Sequence, residues 1–582
     1  MKGSKIGFGL ILVLATVFAS RAENIINVAC EGDDQINAIK TALSEAASLK
    51  GEAVTIKLQP VVYNLHKENS TAKLYHVSNT TSVTENPDPT KHVGILMKDL
   101  ENVTFDGNGA TLLTYGEMTS FVIDNCKNIK LKNFRLYSAD PSVVEITVTK
   151  VGKDNIEFDV VPPTKVEVKD SVMFFVGNGW FFGDEKRFSN HEAIAQIYDY
   201  EKGMTLRTQS PIKGYIKAVK TGENSVRLYF NYQPVVKPGE RFQLRHSIRN
   251  EVCTFIVNST DVEIRDVDYN FLGNFGIVSQ FSENITFDKV NFEPLEGSDR
   301  TNAGFADFLQ FSSCKGFLKI LSSKFSGSHD DPINIHGTHL QVVDYVTPNI
   351  VTVEYRHPQT FGFAPFVKGD EIAFVNRETL NYEGKPAIVE EVKALDDYKY
   401  EITLNKKLYD LIGGDINSLY AIENLTWTPD VVIRGNYFSK TPTRAILITT
   451  RGKSIIEDNT FFRIPMASIL VADDANSWYE SGPVTDLTIR NNVFISCASP
   501  VISVSPEIKK FNAPVHSDIT ITGNQFIGAQ PGALNIKASE GILIQKNLFE
   551  VSNPDKISEN DLIILKNVSD YKVEENKITG QF

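Results

Sequence analysis

A recurring phrase of alternating apolar and polar residues runs through most of the chain. An apolar-x-apolar pair is followed shortly by Asn or Asp and usually by Phe, and ten copies begin at Val103, Ile129, Val262, Ile285, Val432, Ile455, Leu487, Ile519, Ile542 and Tyr571. Successive starts are 23 residues apart from 262 to 285, from 432 to 455 and from 519 to 542, and 32 or 33 residues apart from 285 to a strand at 318, from 455 to 487 and from 487 to 519. This spacing is typical of a parallel β-helix, in which Ile, Val and Leu point inward and the Asn residues stack as a ladder.

One strong helix precedes these repeats. Ile36, Ile39, Ala42, Leu43 and Ala46 make an apolar stripe at helical spacing, after an Asp-Asp pair at 33–34 that can cap the helix and before a Gly at 51 that ends it. The open end of a solenoid has to be covered, so we expect this helix to cap the β-helix.

Two stretches lack the repeat and carry alternating strands with Gly or Pro turns. We predict that each is a small β-barrel domain inserted between rungs, the alternative being a continuous β-helix with degenerate rungs. The predicted organisation is a leader at 1–22, β-helix rungs at 23–142, 251–338 and 426–582, and inserted barrels at 143–250 and 339–425.

Composition and charge narrow the function. The hydrophobic share of 42% is that of a folded protein, and the net charge of -13 disfavours nucleic acid and polyanionic substrates. The five scattered cysteines have no CxxC spacing, so neither a disulfide framework nor a zinc site is predicted.

Lys2 and Lys5 precede an apolar run that ends near Ser20-Arg21-Ala22, which predicts a cleaved export signal and a periplasmic or extracellular protein. No later stretch is long and apolar enough to predict a membrane span.

The repeat brings charged residues into one column. Counting eleven residues back from Ile285, Leu318, Val342 and Ile455 reaches Asn274, Asp307, Asp331 and Arg444. Equivalent positions in successive rungs lie one strand spacing apart, about 4.8 Å. We therefore expect Asn274, Asp307, Asp331 and Arg444 on one face of the helix, with Asp330 beside them.

Stacked aspartates repel each other, so at least one of their pKa values should rise unless a cation intervenes. Such a pair is what hydrolysis of a glycosidic bond needs: a protonated carboxyl for the leaving oxygen and a carboxylate that activates water or attacks. No cofactor or metal is predicted, although clustered carboxylates also suit calcium. A solvated Asp-Asp turn at 330–331 is the other alternative.

Further candidates for substrate binding surround this column. His329 and His336 flank the aspartates, and Arg444 and Arg451 can neutralise them or bind sugar hydroxyls. A structural role for the histidines is an equal alternative. Trp478 and Glu480 combine an aromatic ring with a carboxylate, as sugar sites often do, although they can also anchor a loop.

The Asp-rich helix start, the Asp106-Gly-Asn-Gly turn and the Asn-Phe rungs resemble the pectin-lyase-like superfamily of right-handed β-helices. Within it, Asn-Ala-Gly-Phe-Ala-Asp at 302–307 and Ser-His-Asp-Asp-Pro-Ile-Asn-Ile-His-Gly at 328–337 resemble glycoside hydrolase family 110. The resemblance covers essentially the whole chain after the leader. It implies an all-β, right-handed parallel β-helix with a capping helix and two inserted barrels.

That family implies an exo-acting α-1,3-galactosidase, which releases terminal galactose from blood-group B-type or linear α-galactosyl glycans with inversion. Its catalytic aspartates match Asp307, Asp330 and Asp331, and the motif adds Asn302 as a substrate contact. Neighbouring rungs suggest carboxyls about 5 Å apart, whereas inverting pairs stand about 6.5–9.5 Å apart. Asp307 with Asp330, offset sideways, could span the longer distance.

Two other functions are compatible with the sequence. A polygalacturonase-like hydrolase uses clustered aspartates on the same fold but needs basic residues for its anionic substrate, and a polysaccharide lyase fits less well for the same reason. A non-catalytic carbohydrate-binding β-helix needs no clustered carboxylates. The sequence does not decide between linear and fucose-branched substrates, assign acid and base, or predict the oligomeric state.

Overall fold

The computed structural model describes residues 24–80, 82, 84, 87–177, 180–183, 194–246, 248–412 and 419–580. The predicted leader at 1–22 lies outside these residues. Most of the described strands belong to one coiled sheet of 32 strands, almost all of them paired in parallel with the next rung. The all-β parallel β-helix is therefore confirmed. In this part of the chain, no helix has the length and apolar character to cross a bilayer.

The N-terminal rungs carry the predicted helix on their open end. Helix α1, Ile36–Ser48, buries the predicted apolar stripe, and the Asp34 carboxylate accepts the Ile36 N–H at 2.7 Å. Strands β1 to β8 are Asn24–Asn27, Val54–Lys57, Val62–His66, Thr71–Leu74, Thr90–Lys98, Glu101–Tyr115, Thr119–Asp124 and Lys127–Ser138.

The first inserted region has its own apolar core and two antiparallel sheets of seven and three strands. In the described residues, these two sheets do not close into the barrel predicted for 143–250. A closed barrel is found in this part of the chain only in the second insertion. Strands β9 to β18 are Val144–Val151, Asn155–Val160, Lys165–Lys169, Val172–Gly177, Trp180–Phe182, Ile194–Asp199, Met204–Thr208, Lys217–Lys220, Ser225–Tyr229 and Arg241–Arg245.

The chain then returns to the β-helix for the central rungs, which carry the predicted site. Strands β19 to β26 are Thr254–Val257, Thr260–Tyr269, Ile277–Gln280, Glu283–Phe292, Leu309–Ser312, Lys315–Leu321, Lys324–Ser326 and Ile333–Thr338.

The second inserted region is a closed barrel of six antiparallel strands around its own core. Strands β27 to β32 are Leu340–Thr347, Ile350–Glu354, Glu371–Asn376, Tyr382–Ala394, Lys399–Leu404 and Tyr420–Asn424, with a short helix α2, Leu408–Ile412. The strands fall into the predicted five stretches, and the domain boundaries themselves stay a prediction.

The C-terminal rungs complete the solenoid. Strands β33 to β48 are Asp430–Arg434, Tyr437–Ser439, Ile446–Ile448, Ser454–Glu457, Thr460–Phe462, Ile469–Val471, Glu480–Ser481, Leu487–Arg490, Val493–Ile495, Ile502–Val504, His516–Thr522, Gln525–Ile527, Leu534–Gln545, Leu548–Val551, Ile563–Glu574 and Lys577–Gly580. A short helix α3, Glu559–Leu562, lies in the last rungs.

The predicted Asn ladder lies inside these rungs. Asn492 donates to Asn524 Oδ1 at 3.0 Å and to the Ile456 carbonyl at 2.8 Å, and its own Oδ1 accepts from Asn459 Nδ2 at 2.9 Å. The ladder members are Asn436, Asn459, Asn492, Asn524, Asn547 and Asn576. A column of nearly parallel Phe rings, 4.7–4.9 Å apart, runs beside it and fixes the rung spacing.

We expect Asn492→Ala to lower the free energy of unfolding by about 2–4 kcal/mol, because it leaves buried amide and carbonyl partners without hydrogen bonds. Chemical denaturation followed by far-UV circular dichroism measures this loss. Thr488→Ala, at a half-buried position between the inward-facing Leu487 and Ile489, is the matched control and should change stability by less than about 0.5 kcal/mol. An equal loss of unfolding free energy in both variants would contradict a specific stabilising contribution of the ladder.

Candidate active site

Strand pairing places two of the predicted aspartates in one column. Leu309 of β23 pairs with Ile333 of β26, which pairs with Ile446 of β35. Two residues before each of these positions come Asp307, Asp331 and Arg444. The predicted column is therefore confirmed for Asp307, Asp331 and Arg444.

Asn274 does not belong to this column. Ile277 pairs with Leu309, so the residue that continues the register of Asp307 is Phe275. The count of eleven fails because Gly316, in a left-handed conformation at φ 67°, adds one residue to the rung of Asp307. Asn274 is also only 2% exposed, and its contact with substrate stays a prediction.

Asp330 lies beside the column and is surrounded by arginines of the first insertion. Arg207 Nη2 is 3.1 Å from its Oδ2, and Arg245 Nη2 is 3.8 Å from the same oxygen. Burial disfavours the charged carboxylate, but these guanidinium groups outweigh it and hold the pKa of Asp330 below its usual value. Its side chain is 29% exposed, so an ionised carboxylate faces the cavity.

His329 supports these arginines and does not reach the cavity. The ring is fully buried, its Nδ1 accepts from Arg245 Nε at 3.2 Å, and its carbonyl accepts from Arg207 Nη2 at 2.6 Å. Burial and the two positive charges hold the pKa of His329 well below its usual value, so the ring is neutral. This burial favours the structural alternative for His329, and its predicted contact with substrate stays a prediction.

Asp331 forms an ion pair with Arg444. Arg444 Nη2 is 2.8 Å from Asp331 Oδ2, and the Arg444 backbone N–H donates to Asp331 Oδ1 at 3.2 Å. Burial raises the pKa of Asp331 to about 6 against the attraction of Arg444, and the charge of Asp330 adds to the rise. The Asp331 side chain is only 4% exposed, so its charge influences the neighbouring groups, while its own contact with solvent is small.

Asp307 is the carboxyl that most resists ionisation. It is 7% exposed, and burial together with the charges of Asp330 and Asp331 holds its pKa well above the usual value. The site therefore places a carboxyl that favours its protonated form beside a carboxylate that favours its ionised form. This division of pKa values is what general acid and general base catalysis require.

The first insertion also fixes the loop that carries Asp307. The buried Glu145 carboxylate accepts the backbone N–H groups of Thr301 and Asn302 at 3.0 and 3.1 Å. The Asn302 amide in turn donates to the carbonyls of Gly304 and Gly327 at 2.8 and 3.1 Å. Asn302 is fully buried and joins the two loops that carry the aspartates, and its contact with substrate stays a prediction.

Glu480 forms the opposite side of the cavity. Its Oε1 accepts from Asn79 Nδ2 at 3.2 Å and from Asn334 Nδ2 at 3.3 Å. His336 Nε2 lies 3.6 Å from the same oxygen and 2.9 Å from Gln310 Nε2. His336 is only 4% exposed, so it supports Glu480 from behind and the substrate contact predicted for it does not fit.

Arg451 belongs to a different cluster. Its guanidinium lies over the Tyr382 ring at 4.7 Å, beside the buried carboxylates of Glu423 and Asp473, which raise its pKa against the effect of burial. The structure therefore places Arg451 away from the catalytic aspartates, and its predicted substrate contact stays a prediction. The cause is the strand between Ile446 and Ile448, which places Arg444 and Arg451 at its opposite ends.

Two connected cavities result. The smaller one, about 80 Å³, is lined by the three aspartates, Arg249 and Asn79 among others. The larger one, about 500 Å³, includes Trp478 and extends along the C-terminal rungs. Trp478 and Glu480 thus lie in the cavity as the sequence predicted, and their contact with substrate stays a prediction.

Arginines supply the positive charge among the carboxylates. Arg207, Arg245, Arg249 and Arg444 all act on Asp330. Burial and the charge of Arg207 lower the pKa of Arg245 to about 9, because several guanidinium groups lie close together here. A calcium ion would be repelled by these groups, so the calcium alternative fits the site poorly. Within the described residues, no group of three or more His, Cys, Asp or Glu side chains is arranged to hold a metal ion.

Sequence reasoning missed five residues of this site: Arg207, Arg245, Arg249, Asn79 and Asn334. Arg245 and Arg249 stand where the chain returns to the rungs, which is the only sequence signal for them. Asn334 follows the aspartates at the outward position of β26, so the alternation of that strand could have revealed it. Arg207 and Asn79 come from an antiparallel strand and a loop that have no rung register.

The comparison with known proteins agrees with this geometry. A family model described as GLAA-B β-barrel domain II matches residues 350–415, and one described as right-handed β-helix region matches residues 392–549. The curated α-1,3-galactosidase A of Bacteroides thetaiotaomicron is 43% identical over 556 residues, covering 95% of this chain and 96% of that relative. The chain belongs to the α-1,3-galactosidase family. The resemblance drawn from the sequence, including the right-handed β-helix, is confirmed.

Other relatives extend the match. The α-1,3-galactosidase A of Streptomyces avermitilis is 35% identical over 530 residues, covering 88% of this chain and 84% of that relative. Among solved structures, the AlgE4 A-module of Azotobacter vinelandii mannuronan C-5 epimerase aligns with 96% of this chain and 98% of its own, at a TM-score of 0.36 and 10% identity.

Proposed function

We propose that the protein is an exo-acting α-1,3-galactosidase that removes terminal galactose from blood-group B-type or linear α-galactosyl glycans. Asp307 serves as general acid and Asp330 as general base, and the anomeric configuration inverts. The observation that carries this proposal is the separation of the pKa values of Asp307 and Asp330 in one small cavity. Membership of the α-1,3-galactosidase family supports the substrate class.

Asp307 is suited to protonate the leaving oxygen. Its raised pKa favours the protonated carboxyl, and Asp331 contributes to that rise through its own charge. Asp331 itself is held by Arg444 at both oxygens, so it tunes Asp307 and positions Arg444.

Asp330 is suited to activate water. Of the two neighbouring aspartates, it is the more exposed, with 29% of its side chain exposed against 4% for Asp331. Asp330 lies beside the column of Asp307 and not within it, which favours the wider separation that an inverting mechanism needs for a water molecule.

The shape of the site supports exo action. The cavity of the aspartates, about 80 Å³, is small and shares Arg444, Leu447, Trp478 and Glu480 with the larger cavity. A terminal sugar can enter such a pocket, and the rest of the glycan must leave through the larger cavity. The predicted export signal at 1–22 would bring the enzyme to such glycans in the periplasm or outside the cell.

Hydrolysis of three substrates tests this proposal. The mature protein is incubated with galactose-α-1,3-galactose, the fucose-branched B trisaccharide and polygalacturonate, and released sugars are quantified. We expect galactose from at least one α-galactoside and no cleavage of polygalacturonate, because the four arginines are balanced by carboxylates. Cleavage of polygalacturonate alone would overturn the proposal in favour of a pectinase-like activity, and no turnover would favour a binding module.

The pH profile of Asp331→Asn tests the assigned acid. Protonated Asp307 is the active form, so kcat/KM should fall as the pH rises through the pKa of Asp307. Removing the Asp331 charge lowers that pKa, and we expect the alkaline limb to move down by about one pH unit. Rates at about pH 4–10 measure the shift, with Asp518→Asn at an exposed position of strand β43 as the control. A limb that stays in place, or moves up, would exclude Asp307 as the acid.

A further inference from the structure

The outward face of the β-helix changes character beyond the aspartates. One column of outward side chains runs through Gln310, Asn334, Leu447, Leu470 and Ser503, as the strand pairing shows. The members next to Asp307 and Asp331 are amides, and those of the next two rungs are leucines. Outward positions of a solenoid usually carry polar residues, so two successive leucines on this face need an explanation.

These leucines form the floor of the larger cavity. Leu447 and Leu470 line the cavity of about 500 Å³, together with Ile508 from a neighbouring loop. This cavity shares Arg444, Leu447, Trp478 and Glu480 with the cavity of the aspartates. The two cavities are therefore one cleft, which is polar and narrow at the catalytic end and apolar and wide beyond it.

The wall formed by Trp478 is held rigidly. The Asp474 carboxylate accepts backbone N–H groups of the loop, including those of Asn476 at 2.7 Å and Ser477 at 3.0 Å. Arg377 of the barrel donates to the Ala475 carbonyl at 2.9 Å. A loop fixed at both ends keeps the Trp478 side chain in place although it is 45% exposed.

The barrel also contributes directly to this wall. The Trp478 ring stacks on His357, with centroids 4.4 Å apart and planes at 26°. Glu507 and Lys509 place charged groups on the opposite rim. The cleft thus combines an apolar floor, an aromatic wall and a polar rim, which together suit a pyranose ring with one C–H face and several hydroxyls.

We propose that this cleft binds the two sugar residues that follow the cleaved galactose, with Leu447, Leu470 and Trp478 as specificity-determining residues. The cleft continues for two rungs beyond Asn334, which is about 10 Å and matches two pyranose units. This assignment rests on the proposed function and adds its acceptor requirement: glycans with two acceptor sugars are preferred over those with one.

Three substrates and matched variants test the assignment. The substrates are α-galactosyl fluoride, galactose-α-1,3-galactose, and the trisaccharide that adds N-acetylglucosamine to the reducing end of this disaccharide. We expect kcat/KM of the wild type to be about tenfold higher for the trisaccharide than for the disaccharide, equivalent to about 1.4 kcal/mol. Leu470→Trp fills the floor and Trp478→Ala removes the wall, so each should reduce this ratio to about one.

The controls distinguish the cleft from general damage. Thr488→Trp adds the same ring at a half-buried position of strand β40, and Tyr571→Ala removes a ring that is 57% exposed. Both should keep the wild-type ratio, and Trp478→Phe should restore most of it. A wild-type ratio of one, or an unchanged ratio in Leu470→Trp, overturns the cleft while hydrolysis of α-galactosyl fluoride still supports the proposed function. No hydrolysis of any substrate overturns both.

Discussion

Asp330→Asn should lower kcat on galactose-α-1,3-galactose by about 10³–10⁴-fold. The amide cannot accept the proton of the attacking water, and a well-placed general base contributes about 10²–10⁴-fold to a rate. The loss should be as large for nitrophenyl α-galactoside, because attack by water is needed whatever the leaving group. Steady-state kinetics on both substrates measures it.

The control for this variant must address folding. Asp330 contacts the buried Arg245, so its neutralisation leaves that guanidinium with less negative charge nearby. Thermal unfolding by circular dichroism and binding of galactose show whether the site survives. A folded Asp330→Asn variant that keeps wild-type rates would remove Asp330 from the mechanism. If folded Asp331→Asn also keeps them, the whole site assignment is wrong.

Asp307→Asn should show the complementary substrate dependence. On galactose-α-1,3-galactose, kcat should fall by about 10²–10⁴-fold, because the poor leaving group departs only with a proton. On nitrophenyl α-galactoside the fall should be about tenfold or less, since nitrophenolate leaves without one. The variant should also lose the alkaline limb of its pH profile, which reports the titration of Asp307.

Asp307→Asn and Asp330→Asn serve as controls for each other, because they are measured on the same two substrates. If both variants lose activity equally on both substrates, the assignment of acid and base is wrong. If Asp307→Asn loses activity equally on both substrates and Asp330→Asn is rescued by the activated leaving group, the two roles are reversed.

The β-helix could be predicted from the sequence because each rung repeats the same physical requirement. An inward aliphatic pair, a ladder Asn and a stacked Phe recur at each turn, so the period is visible without any alignment. The register followed from the same repeat for Asp307 and Arg444. It failed for Asn274 because one extra residue at Gly316 shifts a rung without changing its apolar pattern.

The arginines of the site could not be predicted in this way. Arg207 and Arg245 lie on antiparallel strands β15 and β18 of the first insertion, and no period of the rungs reaches them. The sequence also could not predict the orientation of the Asn302 and His329 side chains. In a loop, the sequence does not distinguish a buried supporting side chain from one that contacts substrate. The pKa order of Asp307, Asp330 and Asp331 depends on those arginines and needed the structure.

The stereochemistry of the first released sugar tests the central claim most directly. Hydrolysis of galactose-α-1,3-galactose by the full chain is followed by proton NMR, before mutarotation scrambles the anomers. We expect β-galactose to be released first and α-galactose to grow in later. Initial release of α-galactose would contradict the inverting roles of Asp307 and Asp330, and release of no galactose would contradict the proposed activity itself.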